Sequence, residues 1–207
     1  QKFSESYRKV VMVTAYVMFP MMAGLAAVAT PLVSLLLTDT WLPCVPYMQI
    51  YCFTFAFYPI HTCNLQAINA MGRSDMYLKL EIVKKTYGII ALVIAVIFFD
   101  SPIAIAMTGI ITGLISCFVN AAPNKRIVGY SYGEQIKDIL PAFLLSAIML
   151  VSVLAIGWFV PVSPILLLLI QIPAGIIIYF GLSAIFRIKA FMTLINTAKN
   201  MLRRKKA

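Results

Sequence analysis

The sequence predicts an all-α fold, a polytopic membrane bundle of six transmembrane helices, on three observations. Hydrophobic residues make up 62% of the 207 residues and charged residues only 12%, whereas soluble domains are about half apolar and about a quarter charged. Apolar stretches long enough to cross a bilayer recur along the chain. All 17 Lys and Arg residues fall in alternate segments between these stretches.

The one-sided cations also predict the orientation, because cationic segments are retained in the cytoplasm. Both termini of this chain and the segments around Arg73 and Lys125 are therefore expected on the cytoplasmic side of the membrane. The loops that carry Asp39 and Asp100 are expected outside. The net charge of +10 then indicates topology and attraction to anionic lipid headgroups, and no nucleic-acid partner is expected.

The span boundaries follow from length, since a spanning helix needs about 20 apolar residues. The third apolar core is too short unless its helix starts near Leu78 and two lysines extend to the inner interface. Tight turns predict that spans three and four, and five and six, form antiparallel hairpins closed on the outer side. The predicted spans are Val10–Leu37, Pro46–Met71, Leu78–Phe99, Ile103–Ala121, Ile139–Val160 and Pro164–Phe186.

Two inner segments are expected to be structured. Residues 120–138 predict an ordered loop with a helix start near Ser131. Apolar residues at helical spacing after residue 186 predict an amphipathic helix at the inner interface. For its last five residues a solvated basic tail is the alternative. The domain organisation is thus a six-span bundle over residues 1–186 and a basic amphipathic cytoplasmic tail over residues 187–207.

Signatures of catalysis are missing from the sequence. It has no Gly-rich phosphate loop and no nucleophile elbow, and His61 has no orienting carboxylate within its span. The four cysteines form no CxxC pair, and one histidine is too few for a typical zinc site. Asp75 and Glu81 are interleaved with cations and predict ion pairs at the interface. We therefore expect no enzyme, no cofactor and no metal site.

Polar side chains are concentrated in the second span. His61, the one ionisable residue well inside any predicted span, is expected to face the bundle interior or a watery cavity. Two interpretations stay open: hydrogen bonds that hold the helices together, or a surface that faces a solute. In the second interpretation the substrate-cavity residues are Gln49, His61, Asn64, Gln66 and Asn69, and Arg73 is a cation at the inner mouth.

Prolines are expected to weaken three of the spans. Pro20, Pro59 and Pro173 lie inside the first, second and sixth predicted helices, where each removes one backbone hydrogen bond. Interrupted helices are common where transporters bind their substrates and change conformation, although membrane helices without such a role contain them too.

Several motifs occur in a characteristic order relative to the first three spans. They are Phe19-Pro20 with Gly24-Leu25, Pro31-Leu32-Val33, Leu35-Leu36-Leu37, Trp41, Asn64, the run from Asn69 to Asp75, and Leu78-Lys79-Leu80-Glu81 before Lys84-Lys85. With them the chain resembles the C-terminal half of a flippase of the polysaccharide-transporter family, in the multidrug/oligosaccharidyl-lipid/polysaccharide exporter superfamily. The resemblance covers about residues 1–99, and the later spans match only in topology and length.

The resemblance implies one lobe of a protein with twelve to fourteen helices in two lobes around a central cavity. Such proteins move lipid-linked oligosaccharides or related envelope glycans from the inner to the outer leaflet by alternating access. The implied partners are the lipid-linked glycan, membrane lipids and an N-terminal six-helix lobe, and the missing initiator Met fits this expectation. Two alternatives stay open: a drug or cation exporter of the same superfamily, and a non-transporting membrane scaffold of envelope assembly.

Overall fold

The computed structural model of the chain describes residues 2–127 and 129–204, with side chains described for 4–125, 129–197 and 199. Regular structure in these residues is entirely helical. A short 3-10 helix, Asp39–Cys44, joins the second and third α-helices. The α-helices are α1 Lys2–Ala27, α2 Ala29–Leu37, α3 Val45–Ala70, α4 Ser74–Phe99, α5 Pro102–Ala121, α6 Asn124–Ile127, α7 Tyr132–Phe159, α8 Pro164–Ile185 and α9 Lys189–Arg204.

Five of these helices are long and apolar enough to cross a membrane, which is the composition of a multi-pass membrane protein. They are α1, α4, α5, α7 and α8. Helix α3 has 26 residues and so measures about 39 Å, but it is not among the five. Its polar side chains lower its hydropathy. The prediction of six spans is thus met by five helices on length and composition, and by α3 on length alone.

The predicted first span, Val10–Leu37, is two helices in the structure. Helix α1 starts eight residues earlier, at Lys2, and α2 follows after Val28. Pro31 has no N–H to donate to the Ala27 carbonyl, so the regular ladder loses a bond at this junction. The flanking bonds persist, with Val28 N donating to Gly24 O and Leu32 N to Val28 O, both at 3.0 Å.

The expected interruptions at the other prolines are not breaks. Helices α1, α3 and α8 run through Pro20, Pro59 and Pro173. At Pro20 the reason is visible, because the carbonyl that Pro20 leaves unpaired is that of Tyr16. It accepts a hydrogen bond of 2.7 Å from the hydroxyl of Tyr179 on α8.

Helix α1 is the centre of the bundle and packs against α3, α7 and α9. The main core gathers buried side chains such as Val11, Tyr16, Phe19, Met149 and Val153. Helix α3 packs on its other side against α5, and α4 packs mainly against α5. Only Ala95 of α4 is buried, so α4 is a peripheral helix with its apolar surface left for lipid.

The connections between helices agree closely with those predicted from the sequence. Helices α4 and α5 pack as a hairpin, as do α7 and α8, which confirms both predicted pairs. Ser131 and Glu134 form a capping box at the start of α7, which confirms the helix start predicted there. The predicted tail helix is α9, while Lys205 and Lys206 of the basic end lie outside the described residues.

Candidate functional site

Asn64 lies at the centre of a buried polar network. Its side-chain oxygen accepts hydrogen bonds from the hydroxyl of Tyr7, from Asn124 Nδ2 at 2.7 Å and from Gln135 Nε2 at 3.0 Å. Asn124 Nδ2 also contacts the Tyr7 hydroxyl at 3.2 Å. Since these residues come from α1, α3, α6 and α7, the network joins four elements through neutral groups.

An ion pair lies beside this network, near the N-terminal end of α1. The guanidinium of Arg8 makes two hydrogen bonds to the carboxylate of Asp138, one of them 2.9 Å from Nη2 to Oδ1. Tyr130 donates from its hydroxyl to the same carboxylate at 3.0 Å. Burial raises the pKa of Tyr130, so this donor keeps its proton at neutral pH. The Asp138 side chain is only 8% exposed, and its charge is balanced within the network.

A stripe of exposed side chains runs along the opposite face of α3. Tyr51, Phe55 and Tyr58 are about half exposed, and Gln66 and Asn69 continue the line as exposed amides. Successive members are spaced by three, four or eight residues, which places them on one helical face. We call these five residues the α3 stripe. Its aromatic half is Tyr51, Phe55 and Tyr58, and its amide half is Gln66 and Asn69.

The aromatic half of the stripe is a continuous ladder. The ring centroids of Tyr51 and Phe55 are 6.1 Å apart and stacked, and Phe55 and Tyr58 are also 6.1 Å apart, edge to face. His61 extends the ladder, with its ring 4.9 Å from that of Tyr58. The ladder is therefore held in place by its own ring contacts while its outer surface stays open.

His61 lies on the flank of the stripe and is half-buried. Its Nδ1 is buried and has no hydrogen-bond partner among the described residues. Its backbone carbonyl accepts a hydrogen bond from Asn120 Nδ2 at 3.4 Å. The imidazole therefore borders the open aromatic surface, while its unpaired nitrogen is buried.

The remaining predicted residues separate in space. Gln49 lies on the inward face of α3, donates to the Ala26 carbonyl at 3.2 Å and lines a cavity of about 340 Å³ between α1, α3 and α7. Arg73 follows the end of α3, is exposed, and pairs with Asp75 at 3.2 Å. Together with the pair of Lys84 and Glu81, this confirms the predicted ion pairs.

The structure thus brings Gln66 and Asn69 onto one open face and turns Gln49 and Asn64 to the packed side. Sequence reasoning missed the aromatic half of the stripe, although the spacing of Tyr51, Phe55 and Tyr58 was readable as a helical face. It also missed Asp138 as a buried carboxylate, because nothing local to residue 138 indicates that Arg8 will cover it.

The stripe presents aromatic ring faces and amide groups on one open surface. Aromatic faces pack against the C–H faces of sugar rings, and a primary amide offers two N–H donors and a carbonyl acceptor to hydroxyl groups. Within the described residues, groups of three or more metal-ligating side chains are not found.

Comparison with known proteins links the beginning of the chain to polysaccharide biosynthesis. A family profile described as "Polysaccharide biosynthesis protein" matches residues 1–46, which hold α1, α2 and the 3-10 helix. No curated protein and no solved structure matches the chain significantly. The profile ends where α3 begins, so the stripe lies beyond the matched residues.

Proposed function

We propose that this chain is one lobe of a flippase that moves a lipid-linked oligosaccharide from the inner to the outer leaflet. The observation that carries the proposal is the α3 stripe, an open aromatic and amide face on a helix of span length. The family match over residues 1–46 and the five apolar helices support a membrane protein of polysaccharide biosynthesis. The lobe acts without a cofactor and as a transporter, not as an enzyme.

Helix α3 is proposed as the sixth span. It contains no Asp, Glu, Lys or Arg and packs between α1 and α5, which are both long and apolar enough to cross. If it did not cross, the cations at 73–85 and those at 2–9 would lie on opposite sides of the membrane. With six spans, both ends of this chain and all its cations lie on the cytoplasmic side of the inner membrane.

A sixth span of this composition needs protection from lipid. Burying an unpaired amide in an apolar medium costs about 2–7 kcal/mol, so Gln66 and Asn69 are unfavourable against acyl chains. Water or a second protein surface removes that cost. We propose that the stripe borders a water-filled cavity closed on the far side by an N-terminal six-helix lobe of the same protein.

The order of groups along the stripe suits a glycan on a lipid carrier. Arg73 at the inner end offers a fork of N–H donors to a phosphate group. Gln66 and Asn69 come next, for sugar hydroxyls, and the aromatic ladder follows toward the outer side. Rocking of the two lobes would carry the glycan along this line by alternating access.

The alternative of a drug or cation exporter is less well supported. Such exporters normally need a buried carboxylate that changes protonation during transport. Asp138 is buried, but Arg8 binds its carboxylate through two hydrogen bonds and Tyr130 through a third. Its negative charge is therefore already paired with the guanidinium of Arg8. A non-transporting scaffold would not need an open polar face, and the experiment below separates it from a transporter.

The test replaces the two stripe amides and the flanking His61 in the full protein and measures surface glycan in cells. Gln66→Leu, Asn69→Leu and His61→Leu should lower export while expression and melting temperature stay near those of the wild type. Thr86→Leu is the matched control, because Thr86 is an exposed polar residue on α4 that bonds only its own helix at Ile82 O. Normal export by all three variants would contradict a transporting stripe and favour the scaffold.

A further inference from the structure

An open groove on the other side of the bundle from α3 has no role in the proposed transport. It has a volume of about 500 Å³ and lies between α1, α7, α8 and α9. Its lining is almost entirely aliphatic or aromatic and includes Val17, Met21, Val153, Ile172, Ile176 and Leu194. Several rim residues are half exposed, among them Met21 at 57% and Ile176 at 53%, so the groove opens to the surroundings of the bundle.

The groove is about as long as the hydrocarbon region of one leaflet is thick. Its wall on α8 extends from Gln171 to Phe180, which is about 14 Å along the helix. One leaflet of the hydrocarbon core is about 15 Å thick. At the outer end of this wall, Gln171 is fixed by a 2.9 Å bond to the Val153 carbonyl.

The inner end of the groove meets the amphipathic helix α9. Leu194 of α9 lines the groove, and Phe191 packs against the rings of Tyr16 and Phe180, with centroids 6.3 and 6.1 Å away. The apolar face of α9 is therefore part of the groove wall. Its exposed side carries Lys189 and Lys199, and residues 187–207 contain no Asp or Glu.

We propose that this groove binds one anionic phospholipid of the inner leaflet. One acyl chain would lie along α8, and the phosphate would rest at the cations of α9. The apolar lining alone would suit any lipid. The segment that meets its inner end, residues 187–207, carries cations and no Asp or Glu, and this selects an anionic headgroup, since anionic headgroups attract basic amphipathic helices. The proposal does not depend on what the α3 stripe transports.

Native mass spectrometry of the full protein, titrated with phosphatidylglycerol or with phosphatidylcholine, tests the proposal. We expect one phosphatidylglycerol to be retained and phosphatidylcholine to be retained about tenfold more weakly, because it lacks the net charge. Lys189→Gln with Lys199→Gln should abolish that preference. Lys79→Gln with Lys85→Gln, which removes two exposed cations of α4, should leave it unchanged.

A second pair of variants tests the groove itself. Gly24→Leu places a side chain in the groove, where its Cβ meets only the Met149 methyl at 3.7 Å, and it should lower retention about tenfold, as expected for loss of buried apolar contact. Gly88→Leu on α4, whose Cβ meets nothing within 4 Å, is the control. Equal retention by Gly24→Leu and Gly88→Leu, or equal retention of the two lipids, would overturn the proposal. Displacement of the bound lipid by an isoprenyl pyrophosphate would assign the groove to the transported lipid and overturn it too.

Discussion

At the scale of single residues, two amides on the same helix have opposite surroundings. Asn64 is fully buried and bonded to three other polar side chains. Asn69 is exposed on the stripe. The same chemical group therefore serves packing at one position and is exposed at the other.

Replacing each amide by leucine should separate these roles. Asn64→Leu leaves Tyr7, Asn124 and Gln135 without their shared acceptor, and an unsatisfied buried polar group costs about 1–3 kcal/mol. We expect a clearly lower melting temperature for this variant in detergent. Asn69→Leu should keep the wild-type melting temperature and lose export. Equal melting temperatures for the two variants would contradict the structural role of Asn64.

A second residue-scale prediction concerns the backbone at Pro20. The hydroxyl of Tyr179 satisfies the Tyr16 carbonyl that Pro20 leaves without a helical donor. Tyr179→Phe should therefore destabilise the bundle by about 1–2 kcal/mol, measured as a lower melting temperature. Tyr58→Phe removes a hydroxyl from an exposed ring and is the matched control. A Tyr179→Phe protein as stable as this control would show that the bond is dispensable.

At the scale of elements, the Arg8–Asp138 pair fixes the start of α1 to the first turns of α7. The side chain of Arg8 is 41% exposed and that of Asp138 only 8%, so loss of the arginine leaves a buried carboxylate. Buried charges without a partner are strongly destabilising. The capping box of Ser131 and Glu134 starts α7 about two turns before Asp138.

Exchanging the two charges tests this clamp. Arg8→Gln should destabilise the protein by about 1–2 kcal/mol, a value lowered by the partial exposure of the arginine. Arg8→Asp combined with Asp138→Arg should recover part of the loss if the pairing itself matters. Thermal unfolding of the single and double variants measures the coupling. If the double variant loses as much stability as Arg8→Asp and Asp138→Arg lose when their separate losses are added, a direct clamp is ruled out.

At the scale of the whole molecule, the proposed six-span topology makes a distinct prediction about accessibility. In a background where the four cysteines are replaced by alanine, Ser101→Cys lies in the turn between α4 and α5, and Lys125→Cys lies in α6. A membrane-impermeant thiol reagent added to intact cells should label position 101 and not position 125, because cationic segments stay in the cytoplasm. Labelling of position 125 alone would invert the topology, and labelling of both would mean that α5 does not cross.

The structure and the sequence agree where local composition decides the outcome. Hydropathy places both ends of α4, α5 and α8 within four residues, since transfer of about 20 residues into lipid depends on their summed polarity. For α7 it places the end but not the start, because the predicted span begins at Ile139 and the helix begins seven residues earlier at Tyr132. The predicted start of α7 near Ser131 is correct, and the capping box found there is a contact between near neighbours. The first span was placed less well, because the break at Val28 depends on Pro31 losing one bond and on α1 packing at the centre of the bundle.

The sequence alone determined that this is a helical membrane protein with paired hairpins and an amphipathic last helix. Only the tertiary structure decided that α3 buries Asn64 and exposes Gln66 and Asn69. It also decided that Arg8 meets Asp138 and that Tyr179 meets Tyr16. The physical reason is the range of the interactions. Hydropathy and caps depend on neighbours along the chain, whereas these partners are 57 to 163 residues apart and meet only when the helices pack.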